Sequence, residues 1–224
     1  MDMIISFFEK LGSEMIQRTY EHIYLTFITM TIAVSIALPI GIYLTRTRFA
    51  GVRNTMLNAA NVIQTVPSLA LIALIVVFFA LIGLTTVGPL PGIVALVLYA
   101  LLPILRNTYT GIQQVDPSII EVATGMGMKP HQILFKVELP LSLPIIMAGI
   151  RISTVWTIGV ATLVVLVGAG GLGDLIMKGL RSMQVDYILA GTFPAAGLAL
   201  VFDWILAWLE RWLSPKGLSL QQKS

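Results

Sequence analysis

The amino-acid sequence predicts an all-α membrane protein with about five transmembrane helices. Of its 224 residues, 57% are hydrophobic and 11% are charged, whereas a soluble domain carries about 25% charged residues. Five apolar segments approach the roughly 20 residues that cross the hydrocarbon core of a bilayer. The lysines and arginines are distributed unevenly among the connecting loops, as in a chain with a fixed orientation in the membrane.

The first 21 residues predict an amphipathic helix that lies in the membrane interface ahead of the first span. Ile4, Phe7, Phe8, Leu11 and Met15 recur at helical spacing, which suits a helix with one apolar face. Acidic residues stand where the basic region of a signal peptide would be, so we do not expect a cleaved leader. A frayed terminus is the alternative.

The membrane domain is predicted at residues 22–210, and residues 211–224 form a tail. The five spans are expected at about 23–44, 59–81, 90–105, 144–167 and 188–209. Pro67 and Pro103 fall inside spans, where neighbouring helices can satisfy the carbonyls that a proline frees. Trp204, Trp208 and Trp212 recur four apart near the end of the last span and are expected to anchor it at the interface.

Basic residues set the predicted orientation. One side of the membrane receives Arg46, Arg48, Arg53, Arg106, Lys129, Lys136, Arg211, Lys216 and Lys223, and the other receives Lys10, Arg18, Lys178 and Arg181. By the positive-inside rule, the side with nine basic residues is cytoplasmic and the side with four is external. The N-terminus is therefore expected outside and the C-terminus inside.

The glycine-rich stretch at residues 168–173 is predicted to be a turn rather than a nucleotide-binding loop. It reads GAGGLG, but it leaves a span on the outer side, without a preceding soluble strand and without a Lys-Ser/Thr ending. A short outer helix over residues 174–183 is expected to follow it.

No catalytic or metal-binding constellation is expected. His22 and His131 fall on opposite predicted sides of the membrane, cysteine is absent, and neither a P-loop nor a nucleophile with a neighbouring base is present. We expect the chain to hydrolyse no ATP by itself, to bind no cofactor, and to have membrane lipid but no nucleic acid among its partners.

The segment from Glu121 to Pro140 is polar and charged between strongly apolar spans. Pro117 and Ser118 suit the start of a helix, and Glu121 is expected in its first turn, where its charge would complement the helix dipole. Ala123 is small enough for close docking.

The second half of this segment carries the signals of a chain reversal. Gly125 and Gly127 allow a sharp turn, and Met126 and Met128 offer adaptable apolar contacts to a partner. Lys129-Pro130 is expected to end the helix, and Leu139-Pro140 to return the chain to the fourth span.

This segment resembles the cytoplasmic coupling loop of bacterial ABC importer permeases. That loop reads Glu-Ala-Ala, three residues, Gly, nine residues, Ile, one residue, Leu-Pro. The residues in register are Glu121, Ala123, Gly127, Leu139 and Pro140, with Val122 in place of the first alanine and Val137 in place of isoleucine. The resemblance implies the type I ABC importer permease fold, with a coupling loop at about residues 112–143.

Three further strings resemble the osmoprotectant branch of these permeases, which imports glycine betaine, carnitine and choline. They are TVPSLALIAL at 65–74, MAGIRI at 147–152 and GAGGLGDLI at 168–176. The resemblance implies a bacterial plasma-membrane location, ATPase subunits that bind ATP and Mg²⁺, an external binding protein, and a second copy of the chain or a paralogue.

Two pairs of side chains within the spans are candidate functional residues. Arg151 and Asp203 are expected to pair with each other or to reach the inner interface, and we favour this structural role over a proton relay. Trp156 and Tyr99 are candidate pathway aromatics, because a quaternary ammonium is held against aromatic faces. Packing or lipid contact is the alternative for both aromatics.

Two other functions remain open from the sequence. The same class of permease could carry another small solute, such as methionine or a phosphonate. A channel or an ion-coupled carrier is the alternative from a different class, although no paired intramembrane carboxylates support it.

Overall fold

A computed structural model describes the backbone of residues 2–214 and the side chains of residues 11–214. This part of the chain is helical and contains no β-strand. The α-helices are α1 (Asp2–Arg46), α2 (Ala50–Thr65), α3 (Ser68–Leu81), α4 (Pro89–Gln113), α5 (Pro117–Gly125), α6 (Pro130–Ile133), α7 (Leu139–Ala161), α8 (Gly173–Ser182) and α9 (Val185–Leu213). A π-helical turn, Leu134–Glu138, joins α6 to α7, and a 3₁₀ turn, Val164–Val167, follows α7.

Helix α1 is continuous over 45 residues. The expected boundary between an interfacial helix at 1–21 and the first span is therefore not a break in the structure. At 1.5 Å per residue, such a helix is about 68 Å long, roughly twice the thickness of the hydrocarbon core. Much of α1 must extend beyond the core, and the interfacial position of its first turns stays a prediction.

The second span, expected at residues 59–81, is not one continuous helix. Helices α2 and α3 are bent by 108° at the break between them. Pro67 lacks an N–H and disfavours the helical conformation of its predecessor, and Val66 is accordingly extended, with φ −71° and ψ 125°. The hydroxyl of Tyr99 on α4 donates a hydrogen bond to the Val66 carbonyl, which holds the bend against the rest of the fold.

Four segments of the described chain are long and apolar enough to cross a membrane individually: Leu11–Arg46, Pro89–Gln113, Pro130–Ala161 and Val185–Leu213. The bent pair α2–α3 brings the number to five if it is taken as one span. The third predicted span was short, and α4 extends it at its C-terminal end by eight residues, from Leu105 to Gln113.

Helix α4 lies at the centre of the bundle and contacts α1, α2, α3 and α7. Two glycines let its neighbours approach closely. A Cβ at Gly41 of α1 would lie 2.7 Å from Thr108, and a Cβ at Gly149 of α7 would lie 2.7 Å from the Pro103 carbonyl oxygen. Small residues at helix contacts are typical of membrane bundles, where van der Waals packing drives association.

The glycine-rich stretch forms a turn, as predicted from the sequence. Gly168, Gly170 and Gly171 have φ of 76°, 80° and 83°, conformations that favour glycine. The Gly171 N–H donates to the Glu21 carboxylate over 3.0 Å. The turn is therefore fastened to α1.

Buried His22 supplies a second attachment for this turn. Its Nδ1 accepts from the Leu172 N–H over 3.3 Å, and its Nε2 lies 3.0 Å from the Ile158 carbonyl oxygen. These partners place the proton on Nε2. The ring thus links α1, α7 and the turn.

Helix α8 follows the turn at Gly173–Ser182, which confirms the short helix expected at 174–183. Two of its charged side chains pair with α1: Arg18 lies 2.5 Å from Asp174, and Lys178 lies 3.2 Å from Glu14. The hydrogen bond with Glu14 raises the pKa of Lys178 above its usual value. The N-terminal half of α1 and helix α8 therefore form one end of the molecule, called here the distal end.

Helix α9 continues to Leu213, beyond the predicted limit of the last span. Trp204, Trp208 and Trp212 are exposed along one face of it. Residues 215–224 of the predicted tail, with Lys216 and Lys223, lie outside the described residues.

We expect Gly149→Ala to destabilise the bundle by about 1–3 kcal/mol, because the added methyl group meets backbone on α4. Gly159→Ala is the matched control on the same helix, since a Cβ there meets nothing within 4 Å. It should be neutral, or stabilising by up to about 1 kcal/mol, because alanine is the better helix former. Thermal unfolding in detergent measures both. Equal melting temperatures for the two variants would show that the close contact does not matter.

Candidate functional site

The candidate coupling segment begins with a capped helix. Asp116 is the N-cap of α5, and its carboxylate accepts a hydrogen bond from the Ser118 N–H over 2.8 Å. This bond lowers the pKa of Asp116 below its usual value, because it stabilises the charged form. Pro117 occupies the first helical position, which its fixed φ suits.

Glu121 does not lie in the first turn of this helix, so the expected interaction with the helix dipole is wrong. The helix begins at Pro117 and carries no acidic residue in its first turn. Glu121 is the fifth helical residue, one turn too far from the N-terminus for a strong effect. Its side chain is exposed.

The end of α5 is a Schellman motif centred on Gly127. Gly127 is left-handed, with φ 79°. Its N–H donates to the Thr124 carbonyl over 2.9 Å, and the Met128 N–H donates to the Ala123 carbonyl over 3.1 Å. These two bonds satisfy carbonyls at the end of the helix, and the motif favours glycine at this position. Gly127 therefore makes the sharp reversal that the sequence predicts.

Lys129-Pro130 does not end α5, contrary to the expectation. The helix has already ended at Gly125. Gly125 itself is the last helical residue, without a positive φ. Pro130 is instead the first residue of α6, again the position where a missing N–H costs least.

One face of α5 is apolar and exposed. Ile119, Val122 and Met126 are 42%, 63% and 71% exposed, and they lie within one sector of the helix. We call these three residues the docking face. Ala123 beside them is buried, with 3% exposure, and Met128 is half-buried. An exposed apolar patch of this kind is typical of a surface that meets another protein.

From Pro130 onward, the predicted coupling loop, 112–143, is helical. Leu139 and Pro140 form the first turn of α7 and lie within a helical run that starts at Pro130. The run widens into a π-turn just before Pro140, where the Leu139 N–H bonds to the Leu134 carbonyl. Pro140 cannot donate and would crowd the carbonyl four residues earlier, so a wider turn relieves the strain.

An ion pair between a buried carboxylate and an exposed guanidinium ties this π-turn to α1. Glu138, the last residue of the turn, is only 2% exposed. Its carboxylate pairs with the guanidinium of Arg46, the last residue of α1. A charge buried to this degree must be paired to be tolerated. The end of the molecule that holds α5, the π-turn and the C-terminus of α1 is called the coupling end.

Arg151 and Asp203 lie together. The guanidinium of Arg151 donates two hydrogen bonds to the Asp203 carboxylate, of 2.9 and 3.1 Å. A third hydrogen bond, also of 3.1 Å, reaches Glu210, seven residues further along α9. This geometry fixes α7 against α9 and satisfies Arg151 through two carboxylates.

Tyr99 and Trp156 also lie close together. With Gln64, Pro103 and Ile152 they line a cavity of about 170 Å³. Trp156 is 65% exposed, while the Tyr99 hydroxyl is engaged with Val66. Both rings are therefore accessible to a molecule in the cavity, whereas the Tyr99 hydroxyl already has a hydrogen-bond partner.

The comparisons with known proteins identify the family. Residues 37–215 match the family described as the binding-protein-dependent transport system inner membrane component. The chain is also 46% identical to the choline transport system permease protein OpuBB of Bacillus subtilis over 218 residues, 97% of each chain. The chain belongs to this permease family.

Other relatives of this permease have similar names. It is 44% identical to the carnitine transport permease protein OpuCB of Listeria monocytogenes, over 97% of this chain and 96% of that one. It is 38% identical to the osmoprotectant import permease protein OsmW of Salmonella typhimurium, over 89% and 92%.

Solved structures establish the fold of the permease. A chain of the MetNI methionine ABC transporter, in an inward-facing conformation, aligns with a TM-score of 0.75 at 23% identity, over 92% of this chain and 99% of that one. A chain of an amino acid ABC transporter solved with histidines aligns with a TM-score of 0.75 at 22% identity, over 90% and 95%. The expected type I ABC importer permease fold is confirmed.

Three residues of this permease that the structure places at these sites were not predicted from the sequence: Glu138, Glu210 and Gln64. The signal for Glu138 was an acidic residue two positions before Pro140, where the chain returns to the fourth span. Glu210 could have been found seven residues after Asp203, on the same helix face. The signal for Gln64 was its helical spacing with Asn54, Asn58 and Asn61.

Gly127→Val should loosen the end of α5, because a β-branched residue at this φ costs about 1–3 kcal/mol. Gly127→Asn should be much milder, since asparagine tolerates the left-handed region. Gly125→Ala is the control, because its φ is not positive and a Cβ there meets nothing within 4 Å. Amide hydrogen exchange over α5 should be fastest in the valine variant. Equal exchange in all three variants would contradict the argument.

Arg46→Met should destabilise the permease more than the double variant Arg46→Met with Glu138→Met. The single change leaves a buried carboxylate without its partner, which costs more than the roughly 1–3 kcal/mol of a neutral buried group. The double change replaces the pair by apolar groups, which is often nearly neutral. Denaturation in detergent measures this difference. A double variant less stable than the single one would show that the pair is not the reason for the loss.

Proposed function

We propose that this chain is the membrane-spanning subunit of an ATP-driven importer of quaternary ammonium osmoprotectants, such as glycine betaine, carnitine and choline. The observation that carries the proposal is the 46% identity with a choline transport permease over 97% of both chains. Relatives whose names specify carnitine and osmoprotectant import support the same substrate class.

The docking face on α5 is the proposed contact with an ATPase subunit. Val122 and Met126 would enter an apolar groove of that partner, and Glu121 would meet its polar rim, because all three are exposed. Ala123 is the buried residue of this helix. Gly125 carries no side chain that would obstruct the partner's groove. The hydrogen bonds of Gly127 and Met128 reverse the direction of the chain. ATP and Mg²⁺ would bind to the ATPase, since this chain contributes no P-loop.

The movement of α5 would reach the spans along two connections. One is the helical run through Leu139 and Pro140 into α7. The other is the Arg46–Glu138 pair, which engages α1. ATP would close the ATPase dimer, the docked helices would follow as rigid bodies, and the pathway would switch from inward- to outward-facing. Hydrolysis would then reset the inward state.

The coupling end is proposed to face the cytoplasm of a bacterial cell, with the N-terminus outside. The excess of lysine and arginine on that side supports this orientation. The distal end would then meet an external binding protein, and α1 would begin in the outer interface over residues 1–21. A second copy or a paralogue would complete the pathway, because four or five spans are too few to enclose a passage for the solute.

Arg151 and Asp203 are assigned a structural role. Arg151 pairs with two carboxylates, Asp203 and Glu210. This arrangement favours a structural link between α7 and α9 over a role in proton transfer. The same geometry disfavours an ion-coupled carrier, because this acid–base cluster is already engaged internally. Tyr99 and Trp156 are proposed as a weak site along the substrate path.

The test is uptake of labelled glycine betaine, carnitine and choline at high salt. The host would lack its own osmoprotectant importers and would express the chain with its ATPase and binding protein. Met126→Glu should lower uptake at least tenfold and abolish co-purification of the ATPase, because it places a charge in the docking face near Glu121. Met126→Leu should retain both, since this exchange conserves volume and polarity.

The outcomes separate the alternatives. Uptake without the ATPase would indicate an ion-coupled carrier or a channel. Assembly with the ATPase but no uptake of any of the three solutes would indicate a permease for a different solute, such as methionine or a phosphonate. A Met126→Glu variant with normal assembly would remove the docking face from the proposal.

A further inference from the structure

We propose that α2 and α4, together with Trp156 of α7, form one wall of a polar path for zwitterionic quaternary ammonium carboxylates, with an aromatic end at Tyr99 and Trp156 and a cationic end at Arg106. The second permease copy would close the path on its open side. This inference rests on the proposed function for its substrate class, but the existence of the path can be tested without it.

The first observation is the polarity of α2. No residue of this helix is buried, and its amides recur on one face: Asn54, Asn58, Asn61 and Gln64, at intervals of four, three and three. Amide side chains that face hydrocarbon without partners are costly. This face therefore needs water or polar groups opposite it, unlike the apolar face that carries Met56.

The second observation is a matching stripe on α4. Tyr99, Pro103, Arg106 and Thr110 follow one another at intervals of four, three and four, so they share a face. The two helices run in opposite directions along the bundle, since α2 starts at the coupling end and α4 finishes there. Gln64 therefore lies near Tyr99 and Pro103, and Asn54 lies near Arg106 and Thr110.

The two stripes line two successive cavities. The one toward the coupling end has a volume of about 440 Å³ and is lined by Asn54, Leu57, Asn58, Asn61, Arg106, Tyr109 and Thr110. The other is the cavity of about 170 Å³ between Gln64, Tyr99 and Trp156, roughly the volume of six water molecules. From Asn54 to Gln64 the wall extends about 15 Å, half the hydrocarbon thickness.

The chemistry of the lining changes along its length. The rings of Tyr99 and Trp156 lie at the end of the path farther from the coupling end, where they suit a trimethylammonium group. Amides follow, which can hydrogen-bond a carboxylate or water. Arg106 is the one charged residue that lines either cavity.

Arg106 is free to receive a carboxylate. Its side chain is exposed, and it enters no ion pair with any of the side chains at residues 11–214. A guanidinium binds a carboxylate through two parallel hydrogen bonds. The wall thus complements a solute with a quaternary ammonium at one end and a carboxylate at the other, whereas choline lacks the carboxylate that Arg106 would receive.

The existence of the path can be tested by cysteine labelling, because the natural chain has no cysteine. Asn58→Cys and Asn61→Cys place a thiol on the polar face, and Met56→Cys places one about 160° away from Asn58. In the assembled importer, a methanethiosulfonate reagent that carries a trimethylammonium group should react at least tenfold faster with the first two. Excess glycine betaine should slow only those two reactions. Equal rates on both faces would overturn the path.

The role of Arg106 can be tested by comparing solutes in one importer. Arg106→Gln should lower uptake of glycine betaine and carnitine at least fivefold while choline uptake stays within about twofold. Arg106→Lys should retain most of the uptake of both zwitterions. Arg48→Gln, in the loop between α1 and α2, is the control for loss of a positive charge at the coupling end, and it should change none of the three rates.

An equal loss of all three solutes in Arg106→Gln, or no loss, would overturn the assignment of Arg106 to the carboxylate. A wild-type importer that takes up none of the three would instead refute the proposed substrate class. The labelling rates without glycine betaine would still decide whether the polar path exists.

Discussion

The close packing of α1 and α7 on α4 is the constraint on which the rest of the molecule depends. At Gly41 and Gly149 the helices approach so closely that a methyl group would meet Thr108 or the backbone at Pro103. In lipid, such contacts replace the hydrophobic effect as the source of helix association. They hold the Arg46–Glu138 pair and the first turn of α7 in fixed positions, which is the rigid body that the proposed movement of α5 requires.

The coupling segment combines a stiff interior with defined ends. Asp116 caps α5 at its start, and the Schellman bonds around Gly127 finish it. The apolar docking face is left exposed between them. A short helix of nine residues would be marginal in isolation, so its order derives from these two ends and from the contact at Ala123.

Sequence patterns predicted the helical class, the short helix after the glycine turn and the reversal at Gly127, because each depends on local chemistry or on composition. They did not predict the 108° bend. The apolar run through Pro67 is consistent with a kinked span as well as with a broken one. The choice depends on Tyr99, whose hydroxyl donates a hydrogen bond to the Val66 carbonyl, 33 residues away. The Arg46–Glu138 pair was hidden for the same reason: its partners are far apart in sequence and meet only through tertiary packing.

The bend at Pro67 has a consequence for how the protein is made. Helix α2 has 16 residues and α3 has 14, about 24 and 21 Å at 1.5 Å per residue, so neither crosses the hydrocarbon by itself. The translocon can release α3 into lipid on hydrophobicity alone, but the amides of α2 give it no such affinity. The position of α2 in the membrane therefore depends on its contact with α4, so this helix reaches its final place only once α4 has been synthesised.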